Sequence, residues 1–432
     1  MSKPLTIALL GCGTVGSGVT HLLLEQSRRL QKRANRELRL KKILVRDVNK
    51  PRAVALPSNI LTTDFQQILD DPEIDVVAEL IGGVTFAREA VLQLLERGKD
   101  VVTANKALLA LHGSEVFETA RAHERTVAFE ASVAGGVPII AALTQSLAAN
   151  QVLALQGILN GTCNYILTGM TETGRSYEEC LKDAQANGLA EADPTLDVDG
   201  TDAAHKLSIL SQIAFSVAVP FQAISRQGIA EIHELDILYA RELGYVIKLL
   251  AEAWLKEDEL AMHVSPVLLK RSTALSQVRG AFNAIQVVGD AVGETIYYGP
   301  GAGSMPTASA VVADLIDLAV GRAQRTFDAL RLWSDVETSV KYQSSDSVVS
   351  RFYLRLFVED RPGVLSEVSG VLAKHNISIA SVIQHEVEKD KERVQMVIMT
   401  HPSPTGQFRI AVKDLDQLTC LSGSSTHFPV AD

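Results

Sequence analysis

Short apolar runs at Thr6–Leu10, Leu38–Val45, Ile74–Ile81, Asp100–Ala104 and Val127–Val133 punctuate the N-terminal third of the chain. Between them, apolar positions recur at helical spacing over Val15–Leu30, Phe86–Arg97 and Ala107–Glu124. Strands alternating with helices predict a parallel sheet covered on both faces and wound by right-handed crossovers. From Pro138 to Leu332 the pattern changes. Helical stretches at Ile139–Ala149, Tyr177–Asn187, Asp202–Ser216 and Leu238–Lys256 mix with strand-like runs at Gln151–Leu159, Ala261–Leu268 and Ala284–Val288. The Gly/Pro-rich stretch Pro300–Pro306 leads into an apolar helix, Ala308–Val320, expected to pack back on the first domain. Residues 333–350 are polar and serine-rich and read as a linker. Beyond them Arg351–Val358 alternates as a strand, followed by a turn and a helix over Val364–His375. Strand signals return at Ile377–Glu386 and Arg393–Thr400, then a helix at Phe408–Leu418 and a last strand near Thr426–Val430.

The expected architecture is α/β with three domains. Residues 1–137, completed by about 305–332, form a Rossmann-like α/β domain. Residues 138–304 form an α+β substrate-binding and dimerisation domain, and 351–430 a small ferredoxin-like module. With 432 residues, 47% of them hydrophobic and 21% charged, the chain can bury several cores. A net charge of -10 gives no attraction for a nucleic-acid backbone. The basic cluster Arg28, Arg29, Lys32, Arg33 and Arg36 falls in one helical stretch and reads as a solvated face. The four cysteines, Cys12, Cys163, Cys180 and Cys420, include no CxxC pair, which argues against zinc and dithiol sites and for a reducing compartment. No run approaches the roughly 20 apolar residues of a membrane span, so the expected location is cytoplasmic.

The first strand runs into Gly11-Cys12-Gly13-Thr14-Val15-Gly16 and opens a helix. In that context the glycines are a dinucleotide-binding fingerprint. Gly11 permits the turn, Gly13 lets backbone approach a pyrophosphate, and Gly16 lets helix and strand pack. The second strand ends at Val45-Arg46-Asp47. Arg46 suits the 2′-phosphate of NADPH, whereas Asp47 leaves NAD open.

The densest polar segment is 188–206, with Glu191, Asp193, Asp197, Asp199 and Asp202 just ahead of an apolar helix. Asp202 and Lys206, four apart, share a helix face, and Thr201 can cap it. An exposed ion pair is the bland alternative, and the spacing does not fit a calcium loop.

Gly188–Leu210 resembles the homoserine dehydrogenase family nearly residue for residue. So do Thr103–Lys106, Phe129–Pro138, Gly157–Asn164 and Gly299–Gly303, in matching order over about 5–325. The resemblance implies reversible hydride transfer between NAD(P)H and aspartate 4-semialdehyde, giving homoserine. It makes Lys206 the proton donor and Lys106 a second catalytic cation. Glu191, Asp202 and Asp197 become substrate ligands, and Thr103, Lys106 and Gly303 join Gly11, Gly13, Thr14, Val15, Gly16, Val45 and Arg46 at the cofactor. It also implies a monovalent cation, usually sodium, at Glu130, Val133, Gly135 and Val137. After the linker, Glu359-Asp360-Arg361-Pro362-Gly363-Val364-Leu365 resembles the ligand loop of ACT domains. With Asn376 and Ile377, Asp360, Gly363 and Val364 are the expected regulatory site, and threonine the expected effector. A homodimer or homotetramer is expected. Two rival readings remain at this point. One is a thiol-dependent semialdehyde dehydrogenase using Cys163. The other is a non-catalytic nicotinamide sensor, which would need no Glu191, Asp202 and Lys206 together.

Overall fold

β1 (Leu5–Leu10) is buried at all its positions, as expected of a strand covered by helices on both faces. It sits centrally in a sheet with β2 (Leu38–Leu44), β3 (Leu61–Thr62), β4 (Val76–Glu79), β5 (Asp100–Thr103) and β6 (Val127–Ala128). The order is β3-β2-β1-β4-β5-β6, and every neighbouring pair is parallel. This computed structural model describes the chain except residues 1, 2, 53, 58, 218, 335–339, 386–392 and 432. The residues form two compact units. The first comprises Met1–Ala154, His205–Ala223 and Asn283–Val340, and the second Leu155–Ala204, Ile224–Phe282 and Lys341–Asp432.

In the first unit, the run expected as one helix over Val15–Leu30 is two, Thr14–Glu25 and Ser27–Ala34. The second buries Leu30 and Ala34 and leaves Arg28, Arg29, Lys32 and Arg33 exposed, the solvated face expected of it. The helix Ser304–Ala319 packs on Thr14–Glu25. Its Ala308, Val311 and Leu315 share a core with Ile7, Leu9 and Val19. Gly18 makes the crossing close: a Cβ there would stand 2.7 Å from the Ser304 carbonyl oxygen. The strand expected over Val127–Val133 stops at Ala128. The Glu130 N–H donates to the Asp314 carboxylate at 2.9 Å, and Glu130–Ser132 turn as a 3-10 helix. The helix expected over Ile139–Ala149 is one short α turn, Ile139–Ala141, followed by a wide π turn, Ala142–Ser146.

The second unit holds a sheet with strands in the order Val152–Ile158, Tyr245–Lys256, Glu259–Lys270, Thr426–Ala431, Val349–Glu359, Arg393–Thr400 and Ile379–Ile383. Leu238–Lys256, expected to be one helix, divides. A helix ends at Glu242, Gly244 adopts φ +85°, and Tyr245–Lys256 pairs antiparallel with Glu259–Lys270. The misreading has a physical cause. This strand is central and buried on both faces from Ile247 to Ala253, so its apolar run carries no period-two signal.

The C-terminal β-α-β-β-α-β module buries Leu354, Leu356 and Val358 against Val368, Leu372 and Leu415, with Phe352 stacked on Phe408 at 3.9 Å. It is not tethered loosely. Thr426–Ala431 pairs with Val349–Glu359 on one side and parallel to Leu268 and Leu269 on the other, making one continuous sheet. The stretch read as a linker is also largely structured. Trp333 is buried 4.4 Å from Phe117, and Lys341–Gln343 pairs with Glu259–Ala261. Its residues 335–339 lie outside the described residues, as does Glu386 at the end of an expected strand.

A buried ion pair fixes the module to the helix Glu234–Glu242. Arg355 donates to Asp236 through Nε at 2.6 Å and Nη2 at 2.9 Å, and the Tyr353 hydroxyl donates to Asp236 Oδ1 at 2.9 Å. Asp236 is fully buried and Arg355 nearly so. Arg355→Met would strand the carboxylate. It is expected to cost about 3–5 kcal/mol, read as a lower denaturation midpoint of the second unit.

Candidate functional site

The nucleotide cradle stands at the carboxyl ends of β1, β4 and β5. Gly11 has φ +103°, and a Cβ there would meet the Leu80 carbonyl oxygen at 2.9 Å. A Cβ on Gly16 would stand 2.3 Å from the Gly11 carbonyl oxygen. These two glycines are required by the protein's own packing. Gly13 is not: its φ is -83°, and a Cβ would meet nothing within 4 Å. Its smallness leaves open the space in front of the helix starting at Thr14 and Val15, whose N-terminus no side chain caps. Free N–H groups and the positive dipole end are there for a pyrophosphate, so the residues present fit a dinucleotide. Gly303, at φ +123°, starts the neighbouring helix, and Ser304 Oγ donates to the Thr14 carbonyl at 2.7 Å.

Val45 follows β2, its N–H donating to Thr62 O, and Arg46 beside it is exposed. Thr103 is turned inward. Its hydroxyl donates to Glu79 Oε2 at 2.7 Å and accepts the Asn105 N–H, so its side chain is committed to shaping the loop. Glu79, fully buried, also accepts the Ile81 and Gly82 N–H groups. Asn105 caps the helix that begins with Lys106 and donates to the Gly83 carbonyl. The sequence reading missed Glu79 and Asn105. An acid ending an apolar strand, and an Asn before a helix, were the available signals.

In the second unit, Asn160 gathers the acidic segment. Its Nδ2 donates to Asp197 Oδ1 at 2.8 Å and to Asp202 Oδ2 at 2.9 Å. Its Oδ1 caps the helix Gly161–Thr173 by accepting the Cys163 N–H at 2.8 Å. Asn160 was not expected as a site residue, although Asn-Gly-Thr before an apolar run is a cap signal. Asp199 Oδ1 accepts the Thr201 N–H at the start of the helix Thr201–Phe215. That helix carries Asp202, buried, and one turn later Lys206, half-buried. Glu191 is exposed, and its carboxylate has no hydrogen bond among the described residues. Asn164 donates to the carbonyls of Val278, Gly280 and Phe282 and accepts from Lys248 Nζ at 2.8 Å. Burial lowers the Lys248 amine to about 8. Cys163 is fully buried, and its thiol donates to the Asp197 carbonyl at 3.2 Å, which does not suit a nucleophile.

The turn at Glu130–Val137 is buried and tight. Ala134 has φ +49°, and a Cβ on Gly135 would stand 2.7 Å from Thr307 Oγ1. The Glu130 carboxylate accepts the Ile140 and Ala141 N–H groups, while burial pushes it up to about 7. Val137 O accepts from Ile139 N. The carbonyls of Val133 and Gly135, both buried residues, accept no hydrogen bond among the described residues, which fits oxygen ligation of a hard cation.

In the C-terminal module, Gly363 starts the helix Val364–Lys374 at φ +96°, and no side chain caps it. Asp360 is exposed and Val364 buried. Arg361 is clamped between Glu359 at 2.7 Å and Glu367 at 2.9 Å. Asn376, at φ +51°, ends that helix. Its N–H donates to Ala373 O and that of Ile377 to Leu372 O, a Schellman closure that accounts for Asn376 without any ligand.

Three family models match in sequence order. "Homoserine dehydrogenase, NAD binding domain" covers 11–130, "Homoserine dehydrogenase" covers 138–316, and "ACT domain" covers 352–418. A homoserine dehydrogenase of Neisseria gonorrhoeae is 42% identical over 97% of this chain and 97% of its own. The chain belongs to the homoserine dehydrogenase family. A crystal structure of a homoserine dehydrogenase from Thiobacillus denitrificans is 42% identical. It superposes with a TM-score of 0.92 over 100% of this chain and 99% of that one. A hyperthermophilic archaeal homoserine dehydrogenase solved in complex with NADPH is 25% identical. It matches 73% of this chain and 97% of its own with a TM-score of 0.62. The enzyme is therefore an NAD(P)-dependent oxidoreductase acting on a CH–OH group, with a C-terminal ACT domain. This excludes the thiol-dependent enzyme and the non-catalytic sensor. Among the described residues, no single helix is long and apolar enough to cross a membrane.

Proposed function

We propose that this homoserine dehydrogenase reduces L-aspartate 4-semialdehyde with NADPH in preference to NADH, using Lys206 as the proton donor. The observation that carries the reading is Asn160 holding Asp197 and Asp202 together one helical turn before Lys206. Bound nicotinamide supplies the hydride, or accepts it in reverse. Lys206 gives its proton to the alkoxide oxygen as the aldehyde carbon becomes tetrahedral, and takes one back in homoserine oxidation. Lys106 polarises the same carbonyl oxygen. Glu191 and Asp202 bind the substrate ammonium, and Asn160 bridges Asp197 and Asp202 and orients both. The domain limits follow the chemistry: 1–137 with 305–332 for the dinucleotide, 138–304 for the substrate, and 351–430 for regulation.

NADPH preference rests on Arg46, exposed at the end of β2. The archaeal relative's complex with NADPH supports it. Arg46→Ala is expected to raise the KM for NADPH by about 1.5–3 kcal/mol worth of binding and to leave the KM for NADH nearly unchanged. Equal rises for both cofactors would remove Arg46 from the phosphate site. Sodium is proposed at the carbonyls of Glu130, Val133, Gly135 and Val137, where it would stiffen the turn beside the nucleotide domain's last strand.

L-Threonine is the proposed effector of the Asp360–Val364 loop, with Asn376 and Ile377 at its edge. Inhibition requires that threonine bind the less active conformation better. Deleting residues 345–432 would be a poor test, because it strips Thr426–Ala431 from the edge of Glu259–Lys270. Gly363→Asp is little better, since φ +96° strains any side chain. Asp360→Ala is the cleaner change. It is expected to raise the threonine concentration for half-inhibition about tenfold while leaving kcat in place. Indifference of the wild-type enzyme to millimolar threonine would overturn the assignment.

A further inference from the structure

We propose that a cavity in the second unit, between the substrate-domain sheet and the ACT module, is a binding site for a small zwitterionic amino acid, separate from the ACT loop. The cavity has a volume of about 800 Å³, within the roughly 300–1,000 Å³ range of small-molecule sites. One wall is formed by the hairpin Tyr245–Lys256 and Glu259–Lys270, with Ser225 and Arg226 paired along it. The other is the start of Val349–Glu359, the helix Thr405–Leu415 and the strand Thr426–Ala431.

Its polar groups are incompletely satisfied. Ser265 Oγ, on a residue only 7% exposed, has no hydrogen-bond partner among the described residues. His427 Nδ1 has none either; burial, and then Arg409, lower this imidazole, so it stands neutral. Glu252 is 2% exposed. One of its oxygens accepts from Gln156 at 2.7 Å. The other faces His263 Nε2 at 3.2 Å, out of line for a hydrogen bond. A buried carboxyl so thinly supported calls for a cationic donor. Opposite the hairpin, on the helix Thr405–Leu415, stands Arg409, which donates to Ser225 Oγ at 3.2 Å and to Asp346 Oδ1 at 2.6 Å. A cavity with a buried acid on one wall and a guanidinium on the other suits the two charged ends of an amino acid. The hydroxyl and neutral imidazole are left for its side chain.

The site is not the ACT loop. Phe352, which lines the cavity, lies eight residues before Asp360, roughly 25 Å along an extended strand. A ligand here would touch both the module and the hairpin it is sheeted to, and so would bias their fit.

The test is calorimetric titration of each proteinogenic L-amino acid into the full chain, for the wild type, Asp360→Ala, Glu252→Gln and Ser265→Leu. At least one amino acid is expected to bind Asp360→Ala as it binds the wild type. It should lose about tenfold or more in affinity for Glu252→Gln, and more for Ser265→Leu, whose side chain fills the space. Thermal midpoints verify folding. If either cavity variant unfolds, His427→Gln takes its place with the same expected loss. Homoserine oxidation is the separate readout of the dehydrogenase reading and should persist in all folded variants. The proposal is overturned if no amino acid binds, if all binding disappears with Asp360→Ala, or if the folded cavity variants bind as the wild type does.

Discussion

Lys206→Ala is expected to lower kcat by about 10²–10⁴ if, as proposed, this lysine is the general acid. The KM for NADPH is expected to stay near its wild-type value, because the proposed role of the lysine is on the substrate and not on the nucleotide. The loss appears equally in homoserine oxidation, where the same amine must take the proton back. A structural role would look different: Lys206 is half-buried near the start of a long helix, and a purely structural loss would lower the thermal midpoint rather than kcat. Lys206→Arg keeps the charge but not a dissociable proton, so it rescues stability and not rate. A kcat for Lys206→Ala within a few-fold of wild type would move the proton transfer to another group.

The second large effect separates two glycines only three residues apart. Gly16→Val places a side chain where a Cβ alone is 2.3 Å from the Gly11 carbonyl oxygen. Backbone must shift, and the variant is expected to lose about 3 kcal/mol or more of stability in the first unit. Gly13→Val has open space around its Cβ and keeps its thermal midpoint. It instead obstructs the approach of the pyrophosphate, raising the KM for either nicotinamide cofactor by about tenfold to a hundredfold, or 1.4–2.8 kcal/mol. If both variants lost stability and neither lost cofactor affinity selectively, the open space at Gly13 would not be the phosphate cradle.

The nucleotide domain was legible in the sequence because its strands are short, apolar and separated by helices of ordinary length. Gly11, Gly13 and Gly16 lie in a context that only one arrangement satisfies. The strand Tyr245–Lys256 was not legible, since burial on both faces erases the alternation that marks a strand. The joining of the C-terminal module to the hairpin sheet was equally hidden. Leu268 and Val430 are far apart in the chain, and nothing local in either announces the pairing. At the site, the chemistry-bearing types in 188–206 were visible, but their organiser was not. Asn160 reaches Asp197 and Asp202 from another segment, a relation that spacing cannot express. Thr103 illustrates the converse. Its place in a family-like motif pointed to the cofactor, whereas its hydroxyl is spent on Glu79 and Asn105. Asn376 is similar, because its left-handed backbone already explains it as a helix stop.

The central claim is hydride reduction of an aldehyde with a proton from Lys206. Its most direct measurement is the fate of deuterium from NADPH labelled at the nicotinamide C4 position, mixed with L-aspartate 4-semialdehyde. The account predicts saturable cofactor oxidation, homoserine as product, deuterium on its hydroxymethyl carbon, and loss of the signal in Lys206→Ala. Oxidation of the semialdehyde to an acid, transfer of no deuterium, or an unimpaired Lys206→Ala would contradict it.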